Sequence, residues 1–393
     1  MIRFFKYLFL LTIFLSSFST FAYRELPKTD SLSESSFITL ITCDPGEELY
    51  SLFGHSAIGV VDPEQELALV FNYGTFSFKT SFFYLKFASG KLLYRLSFTT
   101  YNRFLYEYRR DKRRVVEERL NLTLSQRQRL FDLLKENYKP ENREYQYDFF
   151  FDNCATRISN IFHKALGDSL KYTPAENYTP RTFRNLIDEY LVNSYWSKFG
   201  IDIALGAVID KPATEMQITF LPDYLSEYVN YCKINGKSFV ATSRVLVSES
   251  ETFLPTPWII RPATILWIVF LIITVLTILL YKKSWVIGDR IIFGIIGFTG
   301  IIVLLLWIAT DHDATADNFN LLWANPLYLV YIWFIGNNKK QKLLYKLSFI
   351  ILIINILTLA FWKVIPQQYN IAFIPIIGIV IIRSSVIALR AKK

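Results

Sequence analysis

After Pro257 the sequence turns apolar and stays so. Hydrophobic runs occupy Ala263–Tyr281, Ile291–Ala309, Phe319–Ile335, Leu343–Trp362 and Ile371–Leu389. Each is roughly 17–20 residues, about 26–30 Å as a helix, which matches the hydrocarbon thickness of a bilayer. Backbone inside a bilayer must satisfy its own hydrogen bonds, so the runs predict five membrane-spanning helices. Lys282, Lys283 and Arg290 lie between the first two, and Lys339, Lys340, Lys342 and Lys346 between the third and fourth. Arg390, Lys392 and Lys393 follow the fifth, whereas the alternate loops Thr310–Asn318 and Lys363–Asn370 hold a single lysine. That asymmetry predicts a cytoplasmic C-terminus and a first span that enters from outside.

The charge follows the same division. Residues 259–393 carry thirteen Lys/Arg against four Asp/Glu, and residues 1–258 carry thirty of each. A nucleic-acid protein would hold its positive excess on the soluble part, so no nucleic-acid partner is expected. The first 22 residues read as an export signal. Arg3 and Lys6 precede the apolar Tyr7–Leu15, and Thr20-Phe21-Ala22 offers a small-residue cleavage site. An uncleaved anchor is the alternative. The expected domains are therefore a signal over 1–22, an exported domain over 23–257, and a multi-pass membrane domain over 258–393.

Within the exported part, strand-like runs occur at Phe37–Thr42, His55–Val61, Leu67–Phe78, Lys91–Thr99, Arg113–Leu122 and Tyr145–Phe151. Ser125 and Gln128 make a capping box for a helix running to about Tyr138. From Tyr172 to Tyr231 short helices are broken by Pro174, Pro180, Pro212 and Pro222. These elements predict an α+β fold on an antiparallel sheet.

Only three histidines and three cysteines occur in the chain. Cys154 is predicted to open a helix capped by Asp152 or Asn153, with Ile158, Ile161, Phe162, Ala165 and Leu166 at helical spacing and Gly167 as its stop. A thiol in the first turn meets the positive end of the helix dipole and free N–H groups, which favour thiolate and can hold an oxyanion. A buried structural cysteine is the plain alternative. His55 follows Gly54 at the start of a strand and is the candidate general base, with Asn72 as the candidate orienter of its imidazole. Asn153 and Arg157 beside the thiol, and His312 in the acidic loop after the second span, are candidate substrate-binding residues. A disulfide between Cys43 and Cys232 would leave Cys154 free. The scattered His and Cys fit no zinc spacing, so neither metal nor cofactor is expected. A Cys–His pair points to acyl transfer or amide hydrolysis.

Three segments carry a resemblance: Thr42-Cys43-Asp44-Pro45-Gly46 through Leu52-Phe53-Gly54-His55-Ser56, Phe71-Asn72-Tyr73-Gly74-Thr75-Phe76, and Asp152-Asn153-Cys154-Ala155-Thr156-Arg157. Together they resemble the Lnb N-terminal periplasmic domain. The tail, with Asp311-His312-Asp313-Ala314-Thr315 and Asn320-Leu321-Leu322-Trp323-Ala324-Asn325-Pro326-Leu327, resembles the matching five-helix transmembrane domain. The resemblance implies a lipoprotein N-acyltransferase of Bacteroidota, multi-pass in the bacterial inner membrane with its catalytic domain in the periplasm, with a phospholipid as acyl donor and a diacylated lipoprotein as acceptor. The order of His before Cys is also similar to permuted papain-like thiol folds, on which His55 and Cys154 are base and nucleophile. The expected chemistry is a two-step transfer through a thioester on Cys154, with the aromatic stretch Phe71–Phe87 excluding water. A membrane-tethered cysteine amidase or peptidase acting on cell wall is the alternative, and a non-enzymatic sensor a third.

Overall fold

Alternating apolar residues build the first half of the molecule. The computed structural model describes residues 25–173, 179–249, 256–281 and 283–392; the expected signal, Pro174 and Lys282 lie outside them. Strands β1 (Phe37–Cys43), β2 (His55–Asp62) and β3 (Leu67–Thr75) are followed by helix α1 (Phe83–Ala88) and strand β4 (Leu93–Thr100). Next come α2 (Tyr101–Arg110), β5 (Val115–Leu120), α3 (Leu124–Tyr138), β6 (Glu144–Gln146) and α4 (Cys154–Leu166). A small sheet of β7 (Leu170–Tyr172), β8 (Cys232–Ile234) and β9 (Lys237–Ser238) brackets α5 (Phe183–Tyr190), α6 (Tyr195–Ala204) and α7 (Pro222–Tyr231). β10 (Val240–Val247) then closes the large sheet, whose order is β10-β5-β1-β2-β3-β4-β6 with every pairing antiparallel.

The sheet has two covered faces. Ile38, Leu40, Ile58, Val60 and Phe71 pack with Leu130 and Phe131 of α3 and Ile158 and Phe162 of α4. The opposite face gathers Ile41, Cys43, Ala57 and Val70 under Phe104 of α2. A strand with alternate residues in two such cores cannot slip register by one without exchanging them.

Local departures from the expected elements have local causes. The α3 capping box is Thr123 with Gln126, two residues earlier than expected: Thr123 Oγ1 accepts from the N–H of Gln126, and Gln126 Oε1 accepts from the N–H of Thr123. The strand expected over Tyr145–Phe151 is cut to Glu144–Gln146, because Asp148 Oδ1 accepts from the N–H groups of both Phe150 and Phe151 at 2.8 Å and turns the chain. β10 was not expected from the sequence. It is an edge strand with mostly exposed side chains, so no buried alternation marks it.

In the apolar half, α8 (Pro262–Leu279), α9 (Val286–Ile308), α11 (Gln341–Ala360) and α12 (Phe373–Ala391) belong to the four helices long and apolar enough to cross a membrane. The third expected span, over Phe319–Ile335, is not one continuous helix of that length. Phe319–Leu322 is a tight 3-10 turn and α10 (Tyr328–Tyr331) is a single turn of helix. Pro326 removes a donor there, and the side chains of Asn318, Asn320 and Asn325 accept from Asn320 N–H, Trp323 Nε1 and Leu327 N–H at 2.9–3.0 Å. Irregular backbone survives at membrane depth only when protein surrounds it. Here it lies along α9, with Asn320, Trp323 and Ala324 buried, and Arg290 of α9 donates to Ile335 O at 2.8 Å. The one acidic residue of α9, Asp289, accepts from Arg383 of α12 at 2.6 and 3.0 Å, so both buried charges are paired.

The two halves are joined by hydrogen bonds. Gly206 N–H donates to Ala314 O at 3.0 Å and Ala207 N–H to Asp317 O at 3.1 Å. A side chain at Gly206 would overlap the carbonyl of Ala316, so only glycine permits that approach. Asn320 and Asn370 donate to Asp202 O and Oδ2, both at 2.8 Å. Asp202 and Asp210 in turn accept from the fully buried Arg184 at 2.8 Å each.

Candidate functional site

His55 is the first residue of β2. Gly54 before it has φ +76°, and a Cβ there would lie 2.8 Å from Cys43 O, so the entry into the strand requires glycine. β2 pairs with β1 as Cys43–His55, Thr42–Ser56 and Ile41–Ala57. Its pairing with β3 runs from Asp62–Leu67 to Ile58–Phe71. Between Asn72 and Thr75 the β3–β4 register shifts, a bulge centred on Gly74. Extending the β2–β3 register sets Asn72 across from Ala57 and diagonal to His55 on the same face.

The imidazole Nε2 of His55 lies 3.2 Å from Asn72 Oδ1. Asn72 Nδ2 donates to Val70 O at 3.2 Å, which turns the amide oxygen toward the ring. The ring therefore donates from Nε2–H, and Nδ1 is left as its basic atom. Burial holds the His55 pKa down at about 4; the bond to Asn72 opposes this, and the nearby Arg113 guanidinium reinforces it. At neutral pH the ring is uncharged and able to take a proton.

Cys154 is the first residue of α4. Asn153 caps the helix: its Oδ1 accepts from Thr156 N–H at 2.9 Å, and Thr156 Oγ1 accepts from Asn153 N–H at 2.8 Å. Asn153 Nδ2 donates to Phe149 O and Phe220 O at 2.7 Å each. That uses both amide hydrogens, so this buried side chain positions the helix and has no donor left for a substrate. Burial raises the Cys154 pKa, while the backbone N–H groups of Ser56, Ala155 and Cys154 itself pull it back. At Cys43 and Cys232 burial pushes the pKa up to about 12 despite hydrogen bonds with Tyr108 and Tyr228. All three cysteines are free and buried, so Cys43 and Cys232 are not bonded to each other.

The sulfur thus meets the residue after His55. α4 packs on the face opposite the imidazole, but the β2–β3 ladder stops at Ile58, which leaves Ser56 N–H available to the thiol. A Cβ built on Gly74 would lie 3.7 Å from Cys154 Cβ, so the thiol also fills the bulge of β3. Among the described residues no hydrogen bond joins Sγ to the imidazole itself. The buried hydroxyls of Thr42 and Ser56, paired across β1 and β2, have no hydrogen-bond partner among the described residues. Ser56, whose backbone N–H meets the sulfur, is a residue that the sequence did not single out. Tyr145 and Tyr147 are two more; only the aromatic content of their segment hinted at them.

Arg157 pairs with Asp152 through two bonds of 2.6 and 2.7 Å, and its guanidinium lies 3.5 Å from the Tyr145 ring centre. His312 is not at the thiol: its Nε2 lies 3.0 Å from Phe87 O, at the end of α1. Among the described residues no group of three His, Cys, Asp or Glu is placed to hold a metal ion.

Residues 24–189 match the Lnb N-terminal periplasmic domain, and residues 255–393 match the Lnb transmembrane domain. No curated protein and no solved structure gives a match. The two family matches take in most of the chain, in the order and with the break near Pro257 that the hydropathy shows. This is a membrane protein that belongs to the Lnb family.

Proposed function

We propose that this chain is a lipoprotein N-acyltransferase, moving an acyl chain from a membrane phospholipid to the α-amino group of a diacylglyceryl-cysteine lipoprotein. The observation that carries the reading is the cysteine at a helix N-terminus, with three N–H groups around its sulfur, one of them from the residue after a His55–Asn72 pair. The wider arrangement is read as a permuted papain-like thiol site in a periplasmic domain, with the C-terminus in the cytoplasm.

In the first step His55 is read as reaching the thiol around the open end of the β2–β3 ladder beside Ser56, where its Nδ1 takes the thiol proton as Sγ attacks the phospholipid ester carbonyl. The N–H groups of Cys154 and Ala155 are suited to the developing oxyanion. The carbon–oxygen ester bond breaks, the proton passes from His55 to the leaving glyceryl oxygen, and a lysophospholipid departs. In the second step the lipoprotein amine, with a reference pKa of about 7.7–8.0, attacks the thioester. His55 takes its proton and returns it to the sulfur as the amide forms. The reaction starts from neutral partners: a buried thiol and an uncharged imidazole have no ion pair to desolvate when an apolar acyl chain arrives. Anchoring in the bilayer that holds both substrates raises their effective concentration at the site.

Intact mass measurement of the protein incubated with phospholipid vesicles tests the reading. A single acyl adduct mapping to Cys154, absent in Cys154→Ala, is expected; an adduct that persists in Cys154→Ala, or a lysophospholipid product without one, overturns it.

A further inference from the structure

The loop and helix between β3 and β4 expose an apolar ridge. Phe82 is 78% exposed, Tyr84 80% and Leu85 68%, and Phe78 and Phe87 are also exposed. Water is a poor partner for so many adjacent large apolar side chains. The ridge is tied to the membrane half: Asp311 N–H donates to Ser89 O at 3.0 Å, and His312 Nε2 lies 3.0 Å from Phe87 O. Asp311 is three residues beyond the end of α9, so Ser89 O is within about 14 Å of the last residue of that membrane-length helix. α1 has six residues, about 9 Å of helix. The ridge therefore lies within the depth of the headgroup layer and the outer hydrocarbon, where aromatic rings sit well. Lys79, Lys86 and Lys91 on the same stretch supply cations at the level of lipid phosphates.

Behind the ridge, rings lead inward to the thiol. Phe78 and Phe83 each contact Phe76, at 5.1 and 5.8 Å between centroids, and Phe76 lies 5.2 Å from Tyr94. Tyr94 stacks on Tyr147 at 4.3 Å. A Cβ on Gly74 would touch Tyr147 Cε2 and Cys154 Cβ, each at 3.7 Å. We propose that the ridge of Phe78, Phe82, Tyr84, Leu85 and Phe87 is inserted in the leaflet on the catalytic domain's side, and that the Phe76–Tyr94–Tyr147 wall guides a lipid acyl chain from it to Cys154. The second clause rests on the proposed acyl transfer; the insertion does not.

Spin labels read the insertion directly. Leu85→Cys and Tyr106→Cys, the latter on the exposed side of α2, are labelled in the full chain carrying Cys154→Ser; buried Cys43 and Cys232 stay unlabelled. In bilayers of phosphatidylethanolamine and phosphatidylglycerol, the label at 85 is expected to collide with oxygen several-fold more, relative to a nickel chelate, than the label at 106. Equal nickel access at the two positions overturns insertion and makes the ridge a water-facing surface for a protein partner. With Cys154 intact, Leu85→Asp is expected to slow acylation of Cys154 from vesicle phospholipid at least tenfold, with Tyr106→Asp unchanged. A wild-type rate in Leu85→Asp overturns the guiding role. A wild-type chain that never acylates counts against the proposed function, whatever depth the label reports.

Discussion

The 3.2 Å contact from His55 Nε2 to Asn72 Oδ1 fixes which imidazole nitrogen is free to act. Asn72 is itself held by Val70 O, so the amide cannot turn its NH2 toward the ring without losing a bond. The ring is therefore a donor at Nε2 and a base at Nδ1. It is neutral by burial, and its neighbour in sequence, Ser56, gives its N–H to the candidate nucleophile.

Asn72→Ala is expected to lower the rate of Cys154 acylation by about 10–100-fold, with vesicle phospholipid KM changed little, since the ring loses its orientation together with the bond that opposes the fall of its pKa. Asn72→Asp distinguishes orientation from packing. A carboxylate at that distance favours imidazolium, so the acid limb of the rate profile moves to higher pH. Single-turnover kinetics across pH check both.

The pH dependence of stability has a defined sign. His55 titrates at about 4 in the folded protein and at 6.5 when unfolded. Between those values the unfolded chain binds the extra proton, so stability falls as pH drops from 6.5 and levels off below about 4. His55→Gln is expected to flatten that part of the curve, read by thermal melts in detergent from pH 4 to 7. The acylation rate of the wild type should hold through pH 5 and fall only toward 4.

Asn153→Ala removes a helix cap and leaves Phe149 O and Phe220 O without a buried donor. The expected loss of stability is about 2–4 kcal/mol. Asn153→Asp keeps the cap bond but loses both donors, and should fall in between. Melting in detergent ranks the three proteins.

Arg184→Met leaves Asp210 without its cation and Asp202 with Lys198 alone, at a cost of roughly 3–5 kcal/mol. Asp202 also accepts from Asn370, so the loss should spread across the contact between the two halves. Faster limited proteolysis between residues 205 and 215, together with a lower melting temperature, would show it.

Long-period signals survived folding unchanged. The apolar runs after Pro257 appear as membrane-length helices wherever no residue interrupts the backbone ladder, and the strands of β1, β2 and β3 follow their alternation. Residues 319–335 are apolar on average, yet Asn318, Asn325 and Pro326 satisfy or remove backbone groups locally, and composition alone does not register that. The helix opened by Cys154 was legible because cap, spacing and stop agreed. Asn153 is legible as a helix cap, whereas its bond to Phe220 O reaches a segment 67 residues away.

Order along the chain by itself determined a membrane protein whose antiparallel-sheet domain precedes an apolar half, and a cysteine that opens a capped helix, because hydropathy and helix capping are local properties. Only the tertiary structure decided that the β2–β3 ladder ends at Ile58, that the sulfur occupies the opening beside Ser56, and that the aromatic ridge hangs from the loop after α9. Each of these depends on where two distant segments stop pairing. Strand register and loop docking are set by the sum of contacts across the core, which no single stretch of sequence contains.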